Sequence, residues 1–182
     1  MPRTSLLPLA LATALTAVAP PSPAEEALDV SGIYEVEGET VVAGAPDHFV
    51  YSGKLVLKQT GNQIRTTTEV AMRRTAGESG PASAALIGSG DATLDGRKIR
   101  GSSELQTLVS QVAELDVAAP YAPRYAGPVV NAVAEGLVRD DGSIEFEIRS
   151  TLTGEGFTLP EGRKTVLHAK RVARSPYELK KK

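Results

Sequence analysis

The side chains able to do chemistry are few and widely spread. The chain has no cysteine and only two histidines, His48 and His168. A thiol nucleophile is therefore excluded, and a zinc centre of Cys/His spacing has nothing to build it. Gly88-Ser89-Gly90-Asp91 has the look of a nucleophile turn. It lacks the strand–elbow–helix spacing that an activated serine needs, and it interrupts an alternating pattern, so the glycines are expected to be structural. Asp91 with Asp95-Gly96, and Asp140-Asp141-Gly142-Ser143, share the composition of calcium loops but not their ligand spacing or terminal glutamate. Both coincide with turn signals, where Asp-Gly is expected on backbone grounds. Glu145 and Glu147, with Asp140 and Asp141 nearby, offer the paired carboxylates of glycoside hydrolysis. They lie on the face of a strand whose other face is apolar, so a solvated surface is the expectation. No catalytic residue, metal or cofactor follows from these patterns, and an enzyme acting through carboxylates or His48 is only a third reading.

The elements that would position these residues are strands. In Ile144–Arg149, Ile144, Phe146 and Ile148 alternate with Glu145, Glu147 and Arg149, which is a sheet with one face on a core and one in water. Asp141-Gly142 before it is the dipeptide of two-residue hairpins, whose central residues both need positive φ. The same period of two runs through Ser31–Glu37, Phe49–Lys58, Gln63–Arg73, Ala84–Asp95, Arg97–Gly101 and Lys164–Val172, and Val129–Arg139 leads into the hairpin, with a short helix over Pro128–Glu135 as the alternative. Inward positions include Tyr34, Val36, Phe49, Tyr51, Leu55, Thr66, Thr68, Gly88, Gly90 and Ile99. Inward glycines mark bends or close approach in a curved sheet.

One stretch changes period. Leu105, Leu108, Val109, Val112 and Leu115 follow helical spacing, and Ser103 with Gln106 resembles a capping box, so an amphipathic helix is predicted over Glu104–Leu115. The fold class is thus all-β and mostly antiparallel, an up-and-down barrel of about eight strands with one inserted amphipathic helix. Closure requires the last strand to meet the first, where Glu35, Glu37 and Glu39 would face Lys164, Lys170 and Arg171.

Arg3, the apolar run Leu6–Ala19 and the small residues Ser22-Pro23-Ala24 read as a signal peptide over residues 1–24. The run is too short, and too broken by Pro8, to span a bilayer, so the mature chain is expected to be exported, periplasmic or extracellular, without a membrane span. Residues 25–174 form a single domain and 175–182 a disordered basic tail. Residues 25–162 hold 11 basic against 21 acidic residues, while 163–182 hold 8 basic against Glu178 alone. That balance argues against a nucleic-acid partner.

The meander of hairpins resembles the calycin group, the lipocalin-like and avidin-like secreted barrels. Gly32-Ile33-Tyr34 stands where such proteins often carry Gly-x-Trp, and Arg171 or Arg174 where they carry a basic residue near the last strand. The tryptophan is missing, and so is a Thr-Asp-Tyr element. The likeness implies an architecture but no particular ligand. The leading expectation is a non-catalytic exported barrel binding a small apolar or amphipathic ligand. The alternative is a structural or protein-interaction module of a bacterial envelope or secretome. Candidate contacts are Tyr121, Arg124 and Tyr125 on a proline-rich loop, Tyr34 and Tyr51 with hydroxyls inside, and Phe146.

Overall fold

The computed structural model describes residues 28–41, 48–77, 83–110, 125–153, 164–175 and 178. The signal-peptide segment and Tyr121 and Arg124 lie outside the described residues, as does most of the basic tail. Eight strands follow in order: β1 Gly32–Val41, β2 His48–Thr60, β3 Gln63–Ala76, β4 Ser83–Asp95, β5 Lys98–Ser110, β6 Tyr125–Val138, β7 Ile144–Thr153 and β8 Lys164–Ala173. Each pairs antiparallel with the next, and β8 pairs with β1, so the sheet is a closed barrel. This is the architecture that the resemblance to secreted calycin-type barrels implies. Carried once round through the eight ladders, the register returns to β1 displaced by about ten residues. A stagger of that kind tilts the strands roughly 35–45° to the barrel axis.

The inserted helix is a correction. Glu104–Ser110 is the second half of β5, paired with β4 through Gly88↔Leu105 and Ala85↔Leu108 and with β6 through Leu105↔Val130. Leu105 and Thr107 are buried while Glu104 and Gln106 are exposed, which is a period of two. Leu105, Leu108 and Val109 also satisfy helical spacing, so the residue pattern was ambiguous. Ladders on both sides settle it in favour of strand, since pairing outweighs propensity differences of a few tenths of a kcal/mol per residue. Residues 111–115 of the predicted helix lie outside the described residues.

The turns also differ in detail. Gly61 and Gly96 have φ of 60° and 56° and open two-residue connections in which no other residue has positive φ, the pattern of a Gly-first hairpin turn. Asp141-Gly142 is not a two-residue turn. Gly142 N–H donates to the Arg139 carbonyl at 3.0 Å, and only Gly142, at 77°, has positive φ. Asp141 instead accepts from the Ser143 N–H at 2.9 Å and the Ser143 hydroxyl at 2.6 Å, which ties the turn locally.

Residues 61–62, 96–97 and 139–143 connect strands at one end of the barrel, and 42–47, 77–82, 111–124 and 154–163 at the other. At the short-turn end, Leu28–Ser31 folds against β8, β1 and β2, with Val30 fully buried, and forms a floor there. Tyr34, 0% exposed, donates from its hydroxyl to the Val30 carbonyl at 2.9 Å. Gln59 accepts from the Val30 N–H at 2.8 Å and donates to the Leu28 carbonyl at 3.0 Å. Of the two basic residues near the last strand, Arg171 covers the Tyr34 ring at 5.5 Å, and its Nε donates to the Tyr34 hydroxyl at 2.9 Å. Arg171 Nη2 donates to the Asp29 carbonyl at 2.6 Å. The closing seam sets Glu35 opposite Lys170 and Glu37 opposite His168, whereas Arg171 faces Tyr34 and Lys164 bonds Glu147 at 2.7 Å.

Inward glycines let the strands coil. A Cβ on Gly88 would run into the Glu104 carbonyl, and one on Gly90 into the Ser102 carbonyl and Ser103 Oγ. Gly90 stands between Thr66 and Ser103 in the ladders, so the two hydroxyls reach each other across it at 3.4 Å. In urea unfolding, Gly88→Ala is expected to lose about 1–3 kcal/mol, an overpacking cost, while Gly96→Ala, with open space around it, is expected to lose about 1–2 kcal/mol through its positive φ alone. A double-mutant cycle between Glu35 and Lys170 is expected to give a coupling of about 0.2–1 kcal/mol, and zero coupling would speak against their facing across the seam.

Candidate functional site

In a closed barrel, side chains on the inward parity touch only the interior. Those on β1, β2 and β8 are sealed: Tyr34, Val36, Thr40, Tyr51, Leu55, Leu57, Thr165, Leu167 and Ala169 are all buried. Around the other arc coverage is mixed: Val70, Met72, Ala84, Leu105, Thr107, Val130, Ala132 and Phe146 are buried. Thr66 and Thr68 on β3, Leu86 on β4, Ser103 on β5, Ala134 on β6 and Ile148 and Ser150 on β7 are only half-buried. The barrel is therefore packed on one side and at its floor, and only partly covered along the β3–β7 wall. The mixed wall arises from residues that keep strand alternation yet carry short side chains, flanked by Gly88 and Gly90.

Chemically the wall is hydroxyl and aliphatic. Two apolar clusters bracket it. The larger holds Tyr34, Leu57, Ile64, Ile144 and Phe146 toward the floor, and a smaller one holds Leu105, Val130 and Ala132 higher up. Leu86 and Ile148 pack against both. Above the sealed side, Thr40 donates to the Tyr51 hydroxyl at 3.0 Å, and Thr40 Oγ1 also contacts Thr165 Oγ1. Gly38 is the register partner of Tyr51, which leaves the phenol room to lean over to Thr40.

Of the expected contact residues, Tyr34, Tyr51 and Phe146 share one buried core cluster. Tyr34 is enclosed in the floor, and burial pushes its phenol up from the ordinary value, against the opposing pull of Arg171. Tyr51 belongs to the sealed hydroxyl cluster, and Phe146 packs in the larger apolar cluster opposite Gly136. Tyr125 opens β6 opposite Val109 and is a strand residue, not a loop residue. The half-buried wall residues Ser103, Ser150, Leu86, Ala134 and Ile148 are not among the residues singled out from the sequence. Inward parity was readable for several of them, but parity alone says nothing about which inward side chain stays uncovered.

The outer wall carries the charge. Glu145 and Glu147 point outward and bond Arg139 at 2.5 Å and Lys164 at 2.7 Å, and these hydrogen bonds hold both carboxyls below the usual range. Around them lies a shallow concavity of about 290 Å³ bounded by Lys98, Arg100, Glu135, Glu147 and Lys164. Arg100 pairs with Glu135 at 3.7 Å, so much of its charge is matched internally. Alternating Lys, Arg and Glu here occupy positions where a lipid-facing barrel carries an apolar band. No helix among the described residues is long and apolar enough to cross a membrane.

His48 sits on the outer rim between Thr75 Oγ1, 2.6 Å from Nδ1, and Glu39, 3.1 Å from Nε2. A bulge at His48/Phe49 sets Thr75 beneath the imidazole. Glu39 is 59% exposed, so solvent screens this pair. The three side chains act as a pin across β1, β2 and β3. No three His, Asp or Glu side chains among the described residues converge as a metal site would require. Comparison with protein-family models, curated proteins and solved structures found no match to the chain.

The floor predicts a pH limit. A phenol whose pKa is higher folded than unfolded contributes stability that is present below about pH 10 and lost as pH rises toward the folded value. Thermal stability is expected to decline above that pH, and Tyr34→Phe is expected to flatten the decline while lowering stability at pH 7, because it abandons the Val30 and Arg171 bonds. An alkaline limb unchanged in Tyr34→Phe would contradict this.

Proposed function

We propose that this barrel is a non-catalytic, exported binding protein of calycin-like type that takes a small apolar or amphipathic molecule into its lumen beside the β3–β7 wall. The half-exposure of inward side chains carries this reading: Thr66, Thr68, Leu86, Ser103, Ala134, Ile148 and Ser150 face an enclosed space but are not covered. Eight-stranded barrels are wide enough to hold one small ligand when side chains do not fill them. Short hydroxyl and aliphatic side chains on a rigid wall are the lining of a site that excludes water from most of a ligand and fixes it with a few polar contacts. The strand ends at Val41, His48, Ala76, Ser83, Ser110, Tyr125, Thr153 and Lys164 lie opposite the floor, which is the end where a ligand would enter. The leader-like first 24 residues support an exported setting.

The test is fluorescence enhancement of N-phenyl-1-naphthylamine, a neutral apolar fluorophore, titrated with the full-length mature protein. A saturable 1:1 response is expected for the wild type. Ala134→Phe, which places a ring in the lumen, is expected to abolish the response while the circular dichroism spectrum is retained. No saturable response in the wild type, or an unchanged response in Ala134→Phe, would overturn the reading.

A further inference from the structure

The upper lumen holds a polar atom that the fold leaves without a partner. Thr107 is 6% exposed, and its Oγ1 is buried with no hydrogen-bond partner among the described residues. Several other inward hydroxyls are taken up by one another, Thr40 with Tyr51 and Thr165, and Thr66 with Ser103. Thr107 lies on the inward face of β5 in step with Ser103 and Leu105, and directly across the ladder from the half-buried Leu86. It therefore stands where the hydroxyl-lined wall meets the apolar cluster of Leu105, Val130 and Ala132. The β5–β6 ladder is irregular beside it, between Gln106 and Leu108, opposite the segment containing Pro128, which has no N–H to donate. Folded proteins seldom leave a buried hydroxyl unpaired, and such groups often mark a ligand position.

Charge narrows the ligand. Between floor and mouth, the half-buried wall offers hydroxyls and aliphatics and no cation among the described residues. Arg171 is committed below to Tyr34 and Asp29, and Arg74 at the mouth already has a partner. A carboxylate carried into this lumen would lose its hydration without gaining a counter-charge. We propose that the lumen ligand is an uncharged amphiphile whose oxygen accepts a hydrogen bond from Thr107 Oγ1, an alcohol or ester and not a fatty acid anion. This rests on the lumen-binding reading. A hydroxyl held ready for a ligand also explains why the fold tolerates an unpaired donor there, in the way that binding sites trade stability for function.

The test is displacement of N-phenyl-1-naphthylamine by 1-decanol, methyl decanoate and decanoate at pH 7.5 from the wild type, Thr107→Val and Thr107→Ser. Decanol and methyl decanoate are expected to displace the fluorophore at least tenfold more effectively than decanoate. Thr107→Val is expected to weaken both neutral ligands about 3- to 10-fold relative to the fluorophore, and Thr107→Ser to retain wild-type affinity. Without ligand, Thr107→Val is expected to raise Tm by about 2–4 °C, because it removes an unsatisfied buried hydroxyl at constant shape. Decanoate binding as well as decanol would overturn the inference. So would unchanged decanol affinity in Thr107→Val, or a lower Tm in that variant. If the wild type binds the fluorophore but Thr107→Val leaves decanol binding unaltered, the Thr107 assignment fails and the lumen reading stands. If the wild type binds neither, both fail.

Discussion

Once β8 hydrogen-bonds to β1, every side chain along the ribbon has two places to go, inside or outside. A shift of one residue in any ladder would exchange the two sets along that strand. The register is thus held by all eight seams together, and the charged outer face and the inner face, charged only toward its two ends, follow from it. Closure also removes the sheet edges that would otherwise invite pairing with other chains. Glu35 facing Lys170 and Tyr34 facing Arg171 are how this chain writes the closing seam, one pair in water and one in the floor.

The floor gives the barrel its polarity. Leu28–Ser31 folds beneath the strands, held by Gln59, Tyr34 and Arg171, so that one end is plugged by backbone and a buried phenol. The arginine contributes in two ways, through a charge-assisted bond to the phenol and through its cation over the ring. With that end filled, uncovered inward surface is left along β3–β7, toward the longer connections. Uneven packing, not a large bore, separates a sealed sector from an open one. The glycines contribute to this indirectly. At Gly88 and Gly90 a neighbouring strand occupies the space a Cβ would take, so they draw the wall in and do not hollow it out.

Strand alternation, the order of the inward residues and the pairing of the first strand with the last were legible in the chain. Side-chain period and Gly-centred turns are local properties, and local properties survive without a partner in view. The segment Glu104–Ser110 was misread because Leu105, Leu108 and Val109 fit both periods, and only β4 and β6 on either side decide between them. Asp141-Gly142 was misjudged for a related reason: the dipeptide is compatible with several turns, and the Arg139–Ser143 pairing selects one.

The candidate site was less legible. Tyrosine and phenylalanine drew attention by their chemistry, yet Tyr34, Tyr51 and Phe146 are spent on packing, while the uncovered wall is made of threonine, serine, alanine and aliphatics. What the residue order alone determined is which side chains face inward, because alternation is a property of each strand. Only the closed structure decided which inward side chains are covered and which hydroxyls find partners. Coverage depends on what neighbouring strands bring across a lumen a few side chains wide, and no single strand contains that information.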